Sequence, residues 1–370
     1  MGWFGRKAGA AVPRPFLLRG GEAGLGEWPR SYEAQVRAAY LANPVAQRAV
    51  RLVAEGAGSA SLYASGAGAA EERVAALAGP ALIETVAAQL LLHGNAYVRV
   101  LEGADGRPGA LFALRPERVS VEADARGWPA AYVYRVGGSA ERIAAADADG
   151  RPGLVHVRSL HPLDDHHGLG CLGAAAGAVA IHNAATRWNK AFLDNAARPS
   201  GALVYEPDDG AALSADQYRR LKEEIEDAYQ GAANAGRPML LEGGLKWQAM
   251  SLTPADMDFV GLKAAAAREI ALAFGVPPML IGLPGDATYA NYREANRALW
   301  RLTILPMLDK VLAALSAALG SWWPGVRLRV DVDQVTALSE DRERLWAQVS
   351  AADFLTREEK REMLGFGAAE

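Results

Sequence analysis

The sequence predicts an α+β fold in which two long helices flank a small separate module. Alternating apolar and polar residues between positions 96 and 158 indicate short strands. Apolar residues that recur every three or four positions indicate helices over 173–197 and 254–274. Residues 199–252, between these helices, have a strand–helix–strand pattern of their own. We therefore expect the two helices to hold this module away from the main body.

The composition is that of a folded protein with a modest negative charge. Of the 370 residues, 51% are hydrophobic and 22% are charged, which is enough apolar material for a substantial core. The formal net charge of -4 argues against tight nucleic-acid binding, because that binding depends on lysine and arginine side chains that neutralise phosphates. This charge does not exclude that DNA passes close to the protein.

Cysteine content and hydropathy bear on two further classes of protein. Cys171 is the single cysteine and cannot form an intrachain disulfide framework or a four-cysteine zinc site. No run approaches the ~18 consecutive apolar residues that cross a bilayer, and residues 1–20 lack the apolar stretch of a secretory signal. We expect synthesis in a reducing cytoplasm and no membrane partner.

The first part of the chain predicts an irregular arm followed by helices and strands. Residues 1–30 hold seven glycines and three prolines, which favours an arm without packed elements. Asn43-Pro44 predicts the start of a helix that ends near Glu55, where a Gly/Ala/Ser loop is expected. A second helix spans 80–93. The predicted strands, separated by turn residues, are 96–101, 110–114, 119–122, 131–136 and 154–158.

Capping patterns define the module and the helix after it. Ser214 followed by Gln217 is a capping-box pattern, and it opens a helix between strands predicted at 202–205 and 239–242. Thr253-Pro254 opens the next helix, which Gly275 ends before two prolines.

The last part of the chain predicts one long helix, one strand and a helical tail. The long helix runs over 293–319 and is expected to bend near Pro306, because proline lacks an amide donor and clashes one turn back. A strand is predicted at 327–332, and Thr356 with Glu359 forms a second capping box.

Two local patterns have an enzymatic interpretation. Gly168-x-Gly170-x-x-Gly173 opens a helix like a dinucleotide fingerprint, although the preceding strand ends too early for the usual tight turn. A second group supplies metal-ligand side chains in one loop: His161, Asp164, Asp165, His166 and His167. Solvated loop residues give the same group, so a nucleotide- or metal-dependent enzyme is kept as an alternative.

Two further observations bear on nucleotide chemistry. No Gly-x-x-x-x-Gly-Lys-Ser/Thr phosphate loop occurs in the sequence, which argues against ATP hydrolysis by this chain. Trp322-Trp323 could stack on bases, but such a pair is more often part of a core or an interface.

Several motifs occur in an order that resembles the portal, or head-to-tail connector, family of tailed phages. Residues 192–201, Phe-Leu-Asp-Asn-Ala-Ala-Arg-Pro-Ser-Gly, are similar to the entry of that family's first stem helix into its clip domain. Residues 274–282, Phe-Gly-Val-Pro-Pro-Met-Leu-Ile-Gly, are similar to the end of its second stem helix. The resemblance covers about residues 40–366 and is strongest to the short type of long-tailed phages and gene transfer agents. His156-Val157-Arg158 before Gly168-Leu169-Gly170 also resembles the family, which explains these glycines without a nucleotide.

The resemblance implies a portal-like fold with named parts. These are a flexible arm (1–30), the first part of an α+β wing (31–172), stem helix 1 (173–198), a strand–helix–strand clip (199–252), stem helix 2 (253–281), a tunnel loop (282–292), a long kinked helix with a return wing strand (293–338) and a short helical crown (339–370).

The resemblance also implies a function in the virion. It implies a ring, usually of twelve copies, at one capsid vertex, assembled in the host bacterial cytoplasm, through which double-stranded DNA is packaged and ejected. The implied partners are other copies of the chain, the major capsid protein, the terminase large subunit, head–tail adaptor proteins and non-specifically bound DNA. No catalytic residue, metal or cofactor is expected, and packaging energy would come from a separate terminase ATPase. Another phage connector or scaffold subunit is the second alternative.

Two sets of residues are the candidate functional residues. Those expected to face the channel are Arg187, Lys190, Asp286, Tyr289, Asn291 and Arg293. Those expected on the clip, towards the terminase and adaptors, are Arg219, Arg220, Lys222, Glu223 and Glu226.

Overall fold

The computed structural model describes residues 31–194, 201–205, 214, 216, 217, 219, 220, 223, 245–249, 258–283 and 289–364. The α+β class is as predicted. The chain divides into two compact units: unit 1 comprises Met1–Ala176 and Ile270–Glu370, and unit 2 comprises Gly177–Glu269. Both boundaries fall inside helices. The predicted N-terminal arm lies outside the described residues.

Unit 1 begins with a group of helices. They are α1 (Tyr32–Val36), which continues as a π-helical turn over Arg37–Leu41, then α2 (Pro44–Gly58), α3 (Glu71–Leu77) and α4 (Pro80–Leu92). The predicted start at Asn43-Pro44 is confirmed, because the Asn43 side chain accepts hydrogen bonds from the amides of Val45 and Ala46 at 3.0 Å. Small residues on α2, such as Ala46 and Ala49, are fully buried.

The prediction of a loop after Glu55 was wrong. That stretch contains the last turn of α2, a strand β1 (Leu62–Ser65) and α3. The strand is four residues long and its Tyr63 is exposed, so the alternation that identifies strands is too short to detect there. Its pairing partner is a distant strand near the C-terminus.

Two three-stranded antiparallel sheets form the rest of the first part of unit 1. The strands are β2 (Asn95–Glu102), β3 (Pro108–Leu114), β4 (Val119–Ala123), β5 (Pro129–Val136), β6 (Ser139–Ala144) and β7 (Leu154–Arg158). In the first sheet β2 lies between β3 and β7, and in the second β5 lies between β4 and β6. Tyr97, Tyr132 and Ile143 belong to one shared core of the two sheets. Strand β6 was not predicted, because Ile143 is its one buried residue.

The elements of unit 2 are α5 (Leu172–Asp194), which starts in unit 1, the antiparallel pair β8 (Gly201–Tyr205) and β9 (Leu245–Ala249), and α6 (Phe259–Ala273), which ends in unit 1. Leu203 pairs with Trp247 across the two strands. The described residues among 216–223 are helical. The strand predicted at 239–242 and the helix start at Thr253-Pro254 lie outside the described residues, and β9 was not predicted.

A long helical segment follows in unit 1. It comprises α7 (Tyr289–Leu299), a π-helical turn (Trp300–Ile304) and α8 (Leu305–Leu319). The π-helical turn ends two residues before Pro306, the residue that has no amide to donate, and the helix continues through it. The bend predicted near Pro306 stays a prediction. The helix begins four residues earlier than predicted, so Tyr289 and Asn291 are helical and not part of a loop.

The same segment has the length and composition of a membrane span, which the sequence analysis did not anticipate. Helix Ala290–Leu319 meets both criteria, and 39% of its most apolar window is buried in the protein. Leu308, Leu312 and Leu315 are among the most buried side chains of unit 1. Core helices of water-soluble proteins have this same composition.

The C-terminal elements are β10 (Arg327–Val330), which pairs with β1, α9 (Ser339–Ala351) and α10 (Arg357–Met363). The predicted capping box is confirmed: the Thr356 hydroxyl accepts from the Glu359 amide at 3.2 Å, and Glu359 accepts from the Thr356 amide at 2.8 Å.

Candidate functional site

A row of arginines on α7 and the π-helical turn after it contacts the first turn of α9. Arg293, Arg297 and Arg301 lie four residues apart and so share one helix face. The Nη2 atom of Arg297 is 2.7 Å from Glu340, and its Nε atom is 3.5 Å from Asp341. Arg293 also pairs with Glu340, and Arg301 lies 3.8 Å from Asp341.

Exposure differs along this row. The side chain of Arg297 is 13% exposed, and Glu294 on its own helix is a further partner at 2.9 Å. Arg293 and Arg301 are 46% and 63% exposed. Arg297 is therefore buried among carboxylates, whereas the side chains of Arg293 and Arg301 are partly exposed to water.

One hydrogen bond joins the end of α6 to the π-helical turn. The Thr303 hydroxyl donates to the Gly275 carbonyl at 2.7 Å. Gly275 has φ +66, and a Cβ atom there would lie 2.9 Å from the Thr303 hydroxyl oxygen. Glycine is required at this position both for its backbone conformation and for the close approach.

The predicted residues on α5 lie in unit 2. Arg187 is exposed, and Lys190 is exposed with its ammonium group 2.6 Å from Asp194. Nearby, the rings of Trp188 and Phe259 stack at a centroid distance of 4.1 Å, so α5 and α6 pack together here. Arg187 and Lys190 are therefore both exposed to solvent, and Lys190 is paired with Asp194.

A buried histidine lies on the same helix. His182 is 4% exposed, and burial, together with the nearby Lys263, lowers its pKa below the usual value. Neutral His182 is therefore part of the packing of unit 2.

The predicted residues of the module are described in part. The capping box is confirmed: the Gln217 side chain accepts from the Ser214 amide at 2.9 Å, and the Ser214 hydroxyl accepts from the Gln217 amide at 3.3 Å. Arg219 pairs with Asp216, and Arg220 and Glu223 are exposed. Lys222, Glu226 and Asp286 lie outside the described residues, as does the side chain of Tyr289.

Asn291 and Arg293 lie on the same helix of unit 1, two residues apart, and both are exposed. The other predicted channel residues described here, Arg187 and Lys190, lie on α5. Four residues of this cluster were not predicted from the sequence: Arg297, Arg301, Glu340 and Asp341. The four-residue spacing of the arginines was visible in the sequence, but nothing local indicated that the acidic pair would meet them.

The glycine-rich segment before α5 packs closely against other parts of the backbone. Its Gly168 amide donates to Asn95 Oδ1 at 2.7 Å, and Asn95 Nδ2 donates to the Gly168 carbonyl at 3.1 Å. A Cβ atom on Gly170 would lie 2.5 Å from the Leu92 carbonyl oxygen, whereas one on Gly173 would meet nothing within 4 Å. The first two glycines are needed for contact with the chain around Gly94, and this accounts for the pattern without a nucleotide.

Two histidines complete the environment of Asn95. Its Oδ1 lies 2.9 Å from His156 Nε2, and its Nδ2 lies 3.1 Å from His93 Nδ1. Burial lowers the pKa of His156 to about 3, with Arg158 adding to the effect. Burial, with His167 as a second cause, lowers the pKa of His93 to about 4. Both rings are therefore neutral at physiological pH.

The acidic and histidine residues of the adjoining loop stabilise its turn. Asp164 accepts from the amides of His166 and His167 at 2.7 and 3.0 Å. Burial alone would raise the pKa of Asp164, but these hydrogen bonds hold it below the usual value. Within the described residues, no group of three histidine, cysteine or acidic side chains is arranged to hold a metal ion.

Comparison with known proteins identifies the family. The family model described as phage portal protein matches residues 44–365. The chain belongs to the phage portal protein family. This match supports the portal interpretation over an enzyme and over another connector or scaffold subunit, and it gives the chain a structural role.

Two solved structures of gene transfer agent particles contain chains that match almost the whole of this chain. A chain from the virion of a native gene transfer agent particle is 47% identical, with a TM-score of 0.69, and the match covers 94% of this chain and 97% of that one. A chain from the neck of a native particle, computed with C12 symmetry, is 47% identical with a TM-score of 0.69, covering 93% and 96%. These particle locations agree with the predicted portal vertex.

A sequence relative supports the same extent of similarity. An uncharacterized protein of Rickettsia felis is 42% identical over 297 residues, which is 78% of this chain and 74% of that protein. The similarity of this portal protein to known chains is therefore spread over most of its length and does not rest on one motif.

Proposed function

We propose that twelve copies of this chain form a closed ring at one vertex of a phage or gene transfer agent capsid, and that double-stranded DNA enters and leaves through its centre. The observation that carries the proposal is the similarity, at 47% identity over 93% of the chain, to a chain from a neck computed with C12 symmetry. In such a ring one face of each subunit contacts a different face of the next, and the rotation closes the assembly.

The negative net charge of the chain is suited to a channel through which DNA moves. Each chain carries a formal net charge of -4, so a ring of copies repels the phosphates of DNA and does not grip them. We assign the lining of the channel to Arg187, Lys190, Asp286, Tyr289, Asn291 and Arg293. Lys190 and Arg293 already have carboxylate partners, which reduces the charge that they offer to a phosphate.

The remaining contacts are assigned to separate parts of the chain. Residues 199–252 act as the clip, with Arg219, Arg220, Lys222, Glu223 and Glu226 towards the terminase large subunit and the head–tail adaptors. The wing contacts the major capsid protein. The chain performs no catalysis, and a separate terminase ATPase supplies the energy for packaging.

Electron microscopy of the purified protein tests the ring. Viewed end-on, particles should have twelvefold symmetry and an axial hole. Twelve chains of 39.2 kDa should give a mass of about 470 kDa by mass photometry. A monomer, an open filament or a solid particle would contradict the proposal.

Thiol labelling tests which residues line the channel. Arg187→Cys and Asn291→Cys, each made in a Cys171→Ser chain, should react with a maleimide more slowly in DNA-filled particles than in empty ones. Arg344→Cys, at an exposed position on α9, is the matched control and should react equally in both. Equal labelling of all three positions would contradict the assignment of Arg187 and Asn291.

A further inference from the structure

The arginine row formed by Arg293, Arg297 and Arg301 has the features of a phosphate-binding surface. Three guanidinium groups lie on one face at steps of about 6 Å along the helix axis. Guanidinium groups pair with phosphate and with carboxylate through the same planar geometry. A duplex passing this helix would therefore compete with the carboxylates of α9 for the same donors.

The competing carboxylates are part of the same chain. Glu340 contacts Arg293 and Arg297, and Asp341 contacts Arg297 and Arg301. Because these carboxylates belong to the same chain, their effective concentration at the arginines is high. A DNA phosphate that displaces them therefore binds with a smaller gain in free energy. The outer arginines are the ones that remain half exposed and accessible.

Contacts outside the arginine row hold the acidic turn in place. Arg342, the residue after Asp341 on α9, donates to Asp333 and to the carbonyl of Leu364, each at 3.0 Å. The hydrogen bond from Arg342 lowers the pKa of Asp333. Because these contacts do not involve the arginine row, α9 is expected to stay docked when Glu340 and Asp341 lose their charge.

We propose that Glu340 and Asp341 are residues that set the DNA affinity of the portal, by occupying Arg293 and Arg301 so that these side chains do not bind phosphates. The inference rests on the proposed function, in which the helix beginning at Tyr289 faces the duplex. With both carboxylates present, the helix surface stays polar and hydrated, but its arginines form fewer strong contacts with DNA phosphates.

The test is a DNA-binding titration with the assembled full-length protein. Wild type and Glu340→Gln/Asp341→Asn are titrated against a fluorescent duplex of about 25 base pairs, a probe short enough to enter a channel, across 50–200 mM salt. Each phosphate contact steepens the plot of log affinity against log salt by about 0.9. Loss of the two carboxylates as competitors for Arg293 and Arg301 should therefore steepen the slope by up to about 2 and strengthen low-salt binding about tenfold.

Two further variants identify the cause. Glu343→Gln/Glu358→Gln removes two negative charges from exposed positions on α9 and α10, and it should change the slope little. Adding Arg293→Gln/Arg301→Gln to the first variant should abolish the gain. If the double acidic variant does not assemble, Asp341→Asn alone is expected to steepen the slope by about 1.

The outcomes separate the inference from the proposed function. Binding by Glu340→Gln/Asp341→Asn that equals wild type or the matched control, in a ring that still forms, overturns the inference alone. The same holds if the gain persists without Arg293 and Arg301. Failure of the wild-type chain to form a ring overturns the proposed function instead.

Discussion

The carboxamide of Asn95 forms hydrogen bonds with both backbone groups of Gly168, through its Oδ1 and its Nδ2 atoms. Asn95 is the first residue of β2 and is fully buried, whereas Gly168 lies in the segment that leads into α5. The pair fixes where α5 begins relative to the first sheet. Because one oxygen must accept and one nitrogen must donate, the arrangement depends on an amide and not on general polarity.

Asn95→Asp should destabilise unit 1 by about 2–4 kcal/mol. A carboxylate cannot donate to the Gly168 carbonyl, and its charge would be buried without a cationic partner. Urea unfolding followed by circular dichroism at pH 7.5 measures the effect. Gln348→Glu makes the same chemical change at an exposed position on α9 and should change the free energy of unfolding little. Similar values for the two variants would contradict the role of Asn95.

The three glycines before α5 should respond differently to alanine. Gly168→Ala and Gly170→Ala place a Cβ atom against backbone of the Gly94 region and should each cost about 3 kcal/mol or prevent folding. Gly173→Ala has open space and a helical position, so it should be neutral or stabilise by up to about 1 kcal/mol. Thermal melts of the three variants test this. A nucleotide fingerprint would instead need all three glycines for ligand binding, with no such difference in stability.

The stability of unit 1 should fall as the pH falls below about 6.5. His93 and His156 have pKa values of about 4 and about 3 in the folded chain, below the ordinary value of about 6.5. The unfolded chain therefore binds more protons, and stability is lost as the pH decreases through this window. Between pH 7 and pH 5.5 the loss should be about 1 kcal/mol for each histidine. Protonated His93 would also direct an N–H group at the Asn95 amide donor.

Urea unfolding at pH 7 and pH 5.5 measures this loss. His93→Gln removes one of the two groups and should reduce the pH dependence by about half. Gln348→Ala, at an exposed position on α9 that carries no titrating group, is the control and should leave the pH dependence unchanged. An unchanged dependence in His93→Gln would show that other groups are responsible.

The stacked pair in unit 2 should stabilise the packing of α5 on α6. Trp188→Ala removes the ring that lies 4.1 Å from Phe259, and it should cost about 2–3 kcal/mol. Hydrogen exchange of the amides of α5 measures the local loss of stability. Ile181→Ala on the same helix, where the side chain is 42% exposed, should have a smaller effect. Equal exchange in both variants would mean that the rings touch without holding the helices together.

Local signals in the sequence predicted the parts of the fold that depend on neighbouring residues. The cap at Asn43 and the capping boxes at Ser214 and Thr356 are all as predicted, because each arises from contacts within a few residues. Strands β1, β6 and β9 were missed. Strand β1 is four residues long and β6 has a single buried residue, so the alternation that marks a strand is weak in both.

Residue types and their order by themselves determined the fold class, the capped helix starts at Asn43 and Thr356, and the family of this protein. The tertiary structure alone decided which of these residues meet. Asn95 and Gly168 are 73 residues apart, and Arg297 and Glu340 are 43 residues apart. A hydrogen bond or an ion pair between such positions leaves no periodic trace in the sequence, because it depends on how separate elements pack and not on the spacing along one element. For the same reason, the glycines that resembled a nucleotide motif could be explained only when the backbone that they contact was known.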